Sequence, residues 1–135
     1  MTTWMLVEDE PDMYEMVLAM YEILGINGVS FTNGEDALDW IEEVDNGYAA
    51  DDVPELALLD IRLPGKASGL DVGARLHKSP VLKNTAVVLM TAYKMTPQEE
   101  KEAIKQATAD HFLYKPLPSH TKLVKMFNSL IPRRV

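Results

Sequence analysis

The chain has 135 residues, of which 47% are hydrophobic and 25% are charged, and none is cysteine. A chain of this length suits one domain with a substantial core, because a domain of about 150 residues buries roughly 70% of its unfolded surface. The lack of cysteine excludes disulfides, a thiolate nucleophile and a cysteine-based metal site. No apolar stretch approaches the ~18 residues of a membrane span, and no basic leader begins the sequence, so we expect a soluble cytoplasmic protein.

Charge is distributed unevenly along the chain, whose formal net charge is −8. Residues 1–60 contain 16 acidic residues and neither lysine nor arginine, whereas residues 61–135 contain 13 basic residues and 5 acidic ones. The acidic total argues against general nucleic-acid binding, which needs a basic surface. Two interpretations remain open. The asymmetry reflects differently charged helix faces, or it separates an acidic cation-binding end from a basic surface that contacts a partner.

The N-terminal part predicts a strand and then an amphipathic helix. The apolar run Trp4–Val7 predicts the strand. The helix has Pro11 in its first turn and ends at Gly25. Its predicted core face consists of Met13, Met16, Val17, Met20 and Leu24.

A second, weaker strand–helix pair follows. Val29–Thr32 is the weakest strand candidate, and the helix begins after Asn33 and Gly34. The apolar stripe of that helix consists of Ala37, Leu38, Ile41 and Val44. The acid-rich segment Glu42–Pro54 predicts a long loop.

The remaining sequence predicts three strands, each followed by a helix. The strands are Leu56–Leu59, Ala86–Met90 and Phe112–Tyr114. A capping box at residues 68–71 precedes a helix over Val72–His77, and a second box at residues 96–99 begins a helix from Pro97 to about Ala109. The stripe of the last helix consists of Leu123, Val124, Phe127, Leu130 and Ile131.

Strand and helix therefore alternate five times. Continuous apolar runs of this length are typical of strands that are buried on both faces of a parallel sheet. Right-handed connections between such strands place helices on both faces of the sheet. The sequence therefore predicts an α/β fold with five parallel strands.

Polar residues follow the predicted strands at one shared edge of the sheet, where open α/β folds bind their ligands. They are Glu8, Asp9, Asp60, Thr91 and Lys115. Three converging carboxylates repel one another, and a hard divalent cation such as Mg²⁺ relieves that repulsion through oxygen ligation. A lysine and a hydroxyl opposite them can hold a phosphoryl group. The set predicts a site with a metal half and a phosphate half.

Each of these signals has a simpler explanation when it is taken alone. Acidic residues at positions 8–12 can complement the dipole of a helix N-terminus. Thr91 can be an ordinary strand-end hydroxyl, Lys115 a solvated lysine and Phe112 a core aromatic. The combination in this chain order favours the site.

In this order the motifs resemble the receiver domains of bacterial response regulators, in particular the single-domain chemotaxis type. The matching stretches are LVEDE at residues 6–10, LLDIRLP at 58–64, TA at 91–92 and FLYKP at 112–116. The resemblance implies the flavodoxin-like doubly wound fold, with strand order 2-1-3-4-5 and five helices. It also implies one receiver domain over residues 1–135, without an output domain, in a two-component or phosphorelay system.

The resemblance implies roles for individual residues. Asp60 is implied to accept a phosphoryl group from a phosphohistidine of a partner, in a reaction that needs Mg²⁺. Asp9, Asp60 and the backbone carbonyl of Arg62 are implied to bind the ion, with Glu8 acting mostly through water. The metal neutralises phosphoryl oxygens in a transition state that needs chiefly positioning and charge stabilisation.

The phosphate half and the switch follow from the same resemblance. Lys115 is implied to pair with the phosphate, and Thr91 to donate its hydroxyl once the phosphate is present. Phe112 occupies the position of the family's switch aromatic. The Lys115–Pro116 peptide bond is implied to be cis, which only an X-Pro bond accommodates at low cost.

The implied partner is a sensor histidine kinase or a histidine phosphotransfer protein, with no nucleic acid and no membrane. Such partners dock on the first helix and on the loop after the last strand. Tyr14 and Leu18 lie off the predicted core stripe of the first helix, and Leu117 lies in that loop, so we expect all three to contact the partner. The fourth helix, fifth strand and fifth helix are predicted to form the output face, with a phosphorylation-dependent homodimer as one outcome.

The sequence departs from the family pattern in its loops and at three single positions. The segments between Asp9 and Asp60, after Asp60 and after Thr91 are longer than is usual. Thr108 stands where a helix-ending glycine is common. Arg62 and Tyr93 are bulky at positions that tune hydrolysis in the family, which predicts a long-lived phosphoryl group.

Several other functions fit the sequence less well. A phosphatase of the haloacid-dehalogenase type needs a second aspartate two residues after the first, where this chain has Arg62. A flavodoxin would bind phosphate after the first strand, where acidic residues repel it. A receiver-like scaffold without phosphotransfer, or a receiver excised from a larger regulator or hybrid kinase, remains the alternative. In the favoured interpretation the chain is not an enzyme beyond its own phosphorylation and dephosphorylation.

Overall fold

The computed structural model describes residues 2–48 and 53–131, and these form a five-stranded parallel sheet with helices on both faces. The strands are β1 (Thr3–Val7), β2 (Asn27–Phe31), β3 (Leu56–Asp60), β4 (Ala86–Thr91) and β5 (His111–Tyr114). The helices are α1 (Pro11–Ile23), α2 (Gly34–Asp45), α3 (Gly69–Lys78), α4 (Pro97–Ala107) and α5 (His120–Leu130). The strand order is β2-β1-β3-β4-β5, with every neighbouring pair parallel. The predicted fold and strand order are confirmed.

The sheet separates two apolar clusters, because successive side chains of a strand point to opposite faces. Met5 and Val7 of β1 contribute to the cluster beneath α2, α3 and α4, while Trp4 and Leu6 contribute to the cluster beneath α1 and α5. All residues of β1, β3 and β4 are buried. The uninterrupted apolar runs therefore correspond to the three central strands.

Helix α1 buries Val17 and Met20 of its predicted core face, but two other predicted residues lie outside the core. Met16 and Leu24, which we expected in the core, are each 39% exposed, whereas Tyr21 is buried. The Tyr21 ring packs edge-on against Trp4 at a centroid distance of 5.5 Å, and its hydroxyl donates a hydrogen bond to the Met5 carbonyl at 3.1 Å. A large aromatic with a satisfied hydroxyl thus extends the core face that Val17 and Met20 form.

The loop predicted over Glu42–Pro54 begins later than expected, because α2 continues to Asp45. The acidic residues at the end of this helix bind α3. The Arg75 guanidinium lies 2.6 Å from Asp45 and 3.4 Å from Glu42, and the Ser79 hydroxyl donates to Asp45 at 2.5 Å. Part of the predicted loop, residues 49–52, lies outside the described residues.

Helix α4 is held by small residues. It buries Ala103 and Ala107, and Ile104 is half-buried. It packs closely on α3, where a Cβ added to Gly73 would lie 2.8 Å from the Cβ of Ala107. The helix ends two residues before the predicted Ala109, at a cap residue, Thr108, with a left-handed φ of 52°.

Within the described parts of the chain, no helix combines the length and the hydropathy that a bilayer span requires.

Candidate functional site

The C-terminal ends of the strands bring the predicted site residues together. Asp60 is the last residue of β3 and Thr91 the last of β4, while Glu8 follows β1 and Lys115 follows β5. The parallel hydrogen-bond pattern extends past these ends. The Glu8 N–H donates to the Phe31 carbonyl at 3.0 Å, and the Lys115 N–H donates to the Thr91 carbonyl at 2.9 Å. The sheet itself therefore fixes the backbone of the site.

Three carboxylates converge at this edge. One oxygen from each of Glu8, Asp9 and Asp60 lies within 4.8 Å of the other two. Glu8 and Asp60 are buried and Asp9 is exposed. Three hard oxygen ligands at this spacing, one of them open to solvent, fit a divalent cation that retains part of its water shell.

Lys115 forms a bridge between two of these carboxylates. Its Nζ lies 2.5 Å from Glu8 Oε1 and 2.9 Å from Asp60 Oδ2. The Glu8 side chain is fully buried, and those of Asp60 and Lys115 are 8% and 14% exposed. One ammonium offsets part of the charge of three carboxylates, so the described site retains a negative excess that attracts a cation.

Burial dominates the ionisation of this cluster. Burial raises the pKa of Glu8 above its ordinary value, and the hydrogen bond from Lys115 offsets only part of this rise. Burial alone would lower the pKa of Lys115, but its hydrogen bonds to Glu8 and Asp60 outweigh that effect and raise it. The lysine therefore remains charged at neutral pH, beside a carboxyl group that resists ionisation.

The acidic run after β1 divides into residues with different roles. The Glu10 side chain caps α1 by accepting hydrogen bonds from the N–H groups of Asp12 at 3.2 Å and Met13 at 2.7 Å. Glu8 turns into the site, where its second oxygen accepts the Glu10 N–H at 3.1 Å. The helix-capping explanation of this run thus holds for Glu10, whereas Glu8 and Asp9 belong to the carboxylate cluster.

Asp60 is supported by its own loop. The Arg62 N–H donates to Asp60 Oδ1 at 3.2 Å. Gly69 packs directly behind, and a Cβ there would overlap the Asp60 carbonyl oxygen. Sequence reasoning treated Gly69 only as part of a capping box. Gly69 is the first residue of α3, where most other residues favour a helix more than glycine does. Its presence there is the sequence signal that could have indicated a close backbone contact.

Thr91 and the residues around it line the other side of the site. Thr91 is fully buried, and its hydroxyl oxygen accepts the Tyr93 N–H at 3.1 Å. The guanidinium carbon of Arg62 lies 3.8 Å from the centre of the Tyr93 ring, although both side chains are exposed. This cation–π pair links the loop after β3 to the loop after β4.

The aromatic residues of β5 face the loop after β4. Phe112 is half-buried against the core, and its ring centre lies 5.2 Å from that of Tyr114. The Tyr114 hydroxyl donates to Glu100 at 2.9 Å and accepts the Met95 N–H at 3.2 Å. Sequence reasoning missed Tyr114, because its partners belong to another element. The Lys115–Pro116 bond is cis, as predicted.

The three predicted docking residues are less exposed than the sequence suggested. Tyr14, Leu18 and Leu117 are half-buried and pack against the core beneath α1 and α5. The Tyr14 hydroxyl lies 2.7 Å from the Ser30 hydroxyl, within hydrogen-bond distance. Only Tyr14 and Leu18 were expected to be exposed, and that expectation is wrong because both pack against this core. The contact of all three residues with a partner remains a prediction.

Comparison with known proteins agrees with the fold and shows the family. The response regulator receiver domain matches residues 5–128. The polar-differentiation response regulator DivK of Brucella anthropi is 30% identical over 125 residues, which cover 91% of this chain and 93% of the relative. DivK of Brucella ovis is 29% identical over the same coverage.

Solved structures share the architecture. A CheY-like receiver domain protein from Methanospirillum hungatei superposes with a TM-score of 0.80 at 19% identity, covering 99% of this chain and 96% of that one. The receiver domain of the sensor histidine kinase PA1611 from Pseudomonas aeruginosa, with a magnesium ion coordinated in its active-site cleft, gives 0.77 at 22% identity, covering 97% and 98%. With its matching family, its relatives and its CheY-like fold, the chain belongs to the response regulator receiver domains of two-component signalling.

Proposed function

We propose that Asp60 accepts a phosphoryl group from a phosphohistidine of a sensor histidine kinase or histidine phosphotransfer protein, and that the resulting aspartyl phosphate switches a protein-interaction face. One observation carries this proposal. The buried Asp60 carboxylate lies in a cluster with Glu8 and Asp9 and accepts a hydrogen bond from the Lys115 ammonium at 2.9 Å. A nucleophile, a cation site and a fixed positive charge thus occur together.

The phosphoryl transfer exchanges one bond to phosphorus for another. A carboxylate oxygen of Asp60 attacks phosphorus, and a new P–O bond forms as the bond from phosphorus to the histidine ring nitrogen breaks. The electron pair of the broken bond stays on the ring nitrogen, and the ring leaves as neutral imidazole because its other nitrogen carries a proton. No oxidant or reductant is needed. Lys115, already at Asp60 Oδ2, pairs with an oxygen of the incoming phosphoryl group, and Thr91 turns its hydroxyl from the Tyr93 N–H toward another.

Mg²⁺ fits the donor set. Glu8, Asp9 and Asp60 would supply the convergent carboxylate oxygens. The backbone carbonyl of Arg62 is the further protein ligand that the family resemblance implies. When bound, the ion neutralises phosphoryl oxygens in a transition state that depends on positioning and charge. The chemistry is confined to the protein's own modification and its reversal, so the chain acts as a signalling switch without an external substrate.

Intact-mass measurement with acetyl phosphate and Mg²⁺ tests the assignment. The wild-type protein is expected to gain one phosphoryl group, and D60N or excess EDTA should abolish the gain. D39N is the matched control, because Asp39 is an exposed aspartate on α2 and its loss should leave the adduct unchanged. An adduct that persists in D60N would place the acceptor elsewhere, and one that forms in EDTA would remove the metal from the reaction.

A further inference from the structure

The loop between β3 and α3, residues 61–68, is held by the first turn of α2. Glu35 Oε2 accepts a hydrogen bond from the Lys66 N–H at 2.8 Å and a longer one from the Ala67 N–H at 3.4 Å. The Lys66 N–H also keeps the pKa of Glu35 below its ordinary value. A charged acceptor on α2 thus binds the main chain of the loop that follows Asp60.

Two glycines make this contact possible. A Cβ at Gly34 would lie 2.8 Å from both the Cβ and the carbonyl oxygen of Ala67, so the start of α2 touches the loop backbone. Gly65 has a left-handed φ of 84°, and a Cβ there would lie 2.5 Å from Glu35 Oε2. The loop therefore approaches the carboxylate in a conformation that a side chain at position 65 would disturb.

Hydrogen bonds near Asp60 hold both ends of the same loop. Near its start, the Arg62 N–H donates to Asp60 Oδ1 at 3.2 Å. Beyond its end, the Gly69 N–H donates to the Ile61 carbonyl at 3.0 Å. Between these two bonds, the loop is held from α2 by the hydrogen bonds that the Lys66 and Ala67 N–H groups donate to Glu35. It therefore limits how far the segment that includes the Arg62 carbonyl can move.

We propose that Glu35 is a positioning residue for the phosphoacceptor site, which restrains the loop that carries the backbone of Arg62 beside Asp60. This inference rests on the proposed function, since it concerns a ligand of the same metal ion. Glu35 acts through Lys66 and Ala67 and does not touch the reacting groups. Removing it should lower the affinity for Mg²⁺ while Glu8, Asp9 and Asp60 remain in place.

Calorimetric titration with Mg²⁺ alone tests the proposal on the full chain. E35A should weaken binding by about 10-fold, the lower end of the effect of residues that support metal ligands. E35Q retains an oxygen acceptor of similar reach and should recover most of the affinity. D39A removes the same charge from an exposed position of the same helix, and it should bind as the wild type does.

Two further measurements separate positioning from a general loss of stability. In phosphorylation by acetyl phosphate, E35A should raise the Mg²⁺ concentration for half-maximal rate and leave the rate at saturating Mg²⁺ close to that of the wild type. In a double-mutant cycle, G65A and E35A should have effects that are less than additive, because both act through one contact.

The outcomes distinguish this inference from the function on which it rests. If the wild type neither binds Mg²⁺ nor gains a phosphoryl group, the proposed function is wrong and the role of Glu35 fails with it. If the wild type does both and E35A binds Mg²⁺ as tightly as D39A, only the positioning role is overturned. That role is also overturned if E35A lowers the saturated rate without changing the Mg²⁺ dependence.

Discussion

At the level of single residues, the Arg62–Tyr93 pair has the clearest bearing on how long a phosphoryl group would persist. The guanidinium and the ring lie 3.8 Å apart, at the ends of the two loops that border Asp60 and Thr91. Glu99 lies near Arg62, and the positive charge of Arg62 contributes to lowering the pKa of Glu99, after its hydrogen bonds to Thr96. We expect a stacked pair at this position to limit the approach of water in line with an aspartyl phosphate.

We therefore expect the double variant R62N/Y93A to lose its phosphoryl group several-fold faster than the wild type. The decay of the phosphorylated mass after removal of the phosphodonor measures this. Y93F keeps the ring and should keep the wild-type lifetime. Equal lifetimes for the wild type and the double variant would show that the pair does not control access of water.

The sequence predicted the residues whose chemistry is visible in their own type and position. Glu8, Asp60 and Lys115 were expected to meet because parallel strands end at one edge, and their distances bear this out. Glu35 and Tyr114 were missed, since an exposed glutamate or tyrosine gives no sign of a backbone partner on another element. Such partners depend on loop conformations, which periodicity does not encode.

At the level of elements, the C-terminus of α4 carries a local conformational cost. Thr108 has a φ of 52°, in the left-handed region that disfavours β-branched residues. Its N–H nevertheless completes the end of the helix through bonds to the carbonyls of Ile104 and Lys105. A residue without a Cβ would make the same cap with less strain.

T108G should raise the free energy of unfolding by about 1 kcal/mol, the lower end of the left-handed cost for a residue with a Cβ. Urea unfolding monitored by circular dichroism measures the change. T108A retains a Cβ and serves as the control, with a smaller gain expected. If glycine stabilises no more than alanine does, the backbone at this position is relaxed and the interpretation is wrong.

The starts of helices were predicted well where the sequence contains a capping motif, and other helix boundaries were predicted less well. The capping boxes at Ser68 and Thr96 form as expected, with reciprocal hydrogen bonds to Asp71 and Glu99. On α1, Val17 and Met20 were correctly assigned to the core, but the periodic pattern gave no reason to place Tyr21 there as well. Tyr21 is buried because its ring packs against Trp4 and its hydroxyl bonds the Met5 carbonyl.

At the level of the whole molecule, several lysines of the C-terminal half lie in the region of the predicted output face. The region of α4, β5 and α5 carries five exposed lysines, whereas residues 1–60 contain no lysine or arginine. They are Lys94, Lys101, Lys105, Lys122 and Lys125. Because α4 buries only two alanines fully, little apolar area holds it in place. The same region also carries the acidic residues Glu99, Glu102 and Asp110, so its surface is lysine-rich but of mixed charge. A weakly anchored face of this kind suits an output surface that responds to the site.

Amide hydrogen exchange with beryllofluoride and Mg²⁺, which mimic the phosphorylated state, tests this face. Exchange over residues 91–125 is expected to change on activation, because a reoriented Thr91 shifts the loop that precedes α4. Light scattering on the same samples reports whether the change is accompanied by a dimer. Unchanged exchange over these residues would place the output on another side of the molecule.

The contact between Gly73 and Ala107 bears on how fast such a change can occur. Where large side chains interlock, one helix can slide past another only after rotamers rearrange, and that rearrangement sets an activation barrier. Gly73 has no side chain and Ala107 has a single methyl group, so neither has a rotamer to change. The barrier for a displacement of α4 along α3 is correspondingly low. The pace of the response would then be set by the lifetime of the covalent modification, with the helix adjusting within the microseconds to milliseconds that such collective motions take.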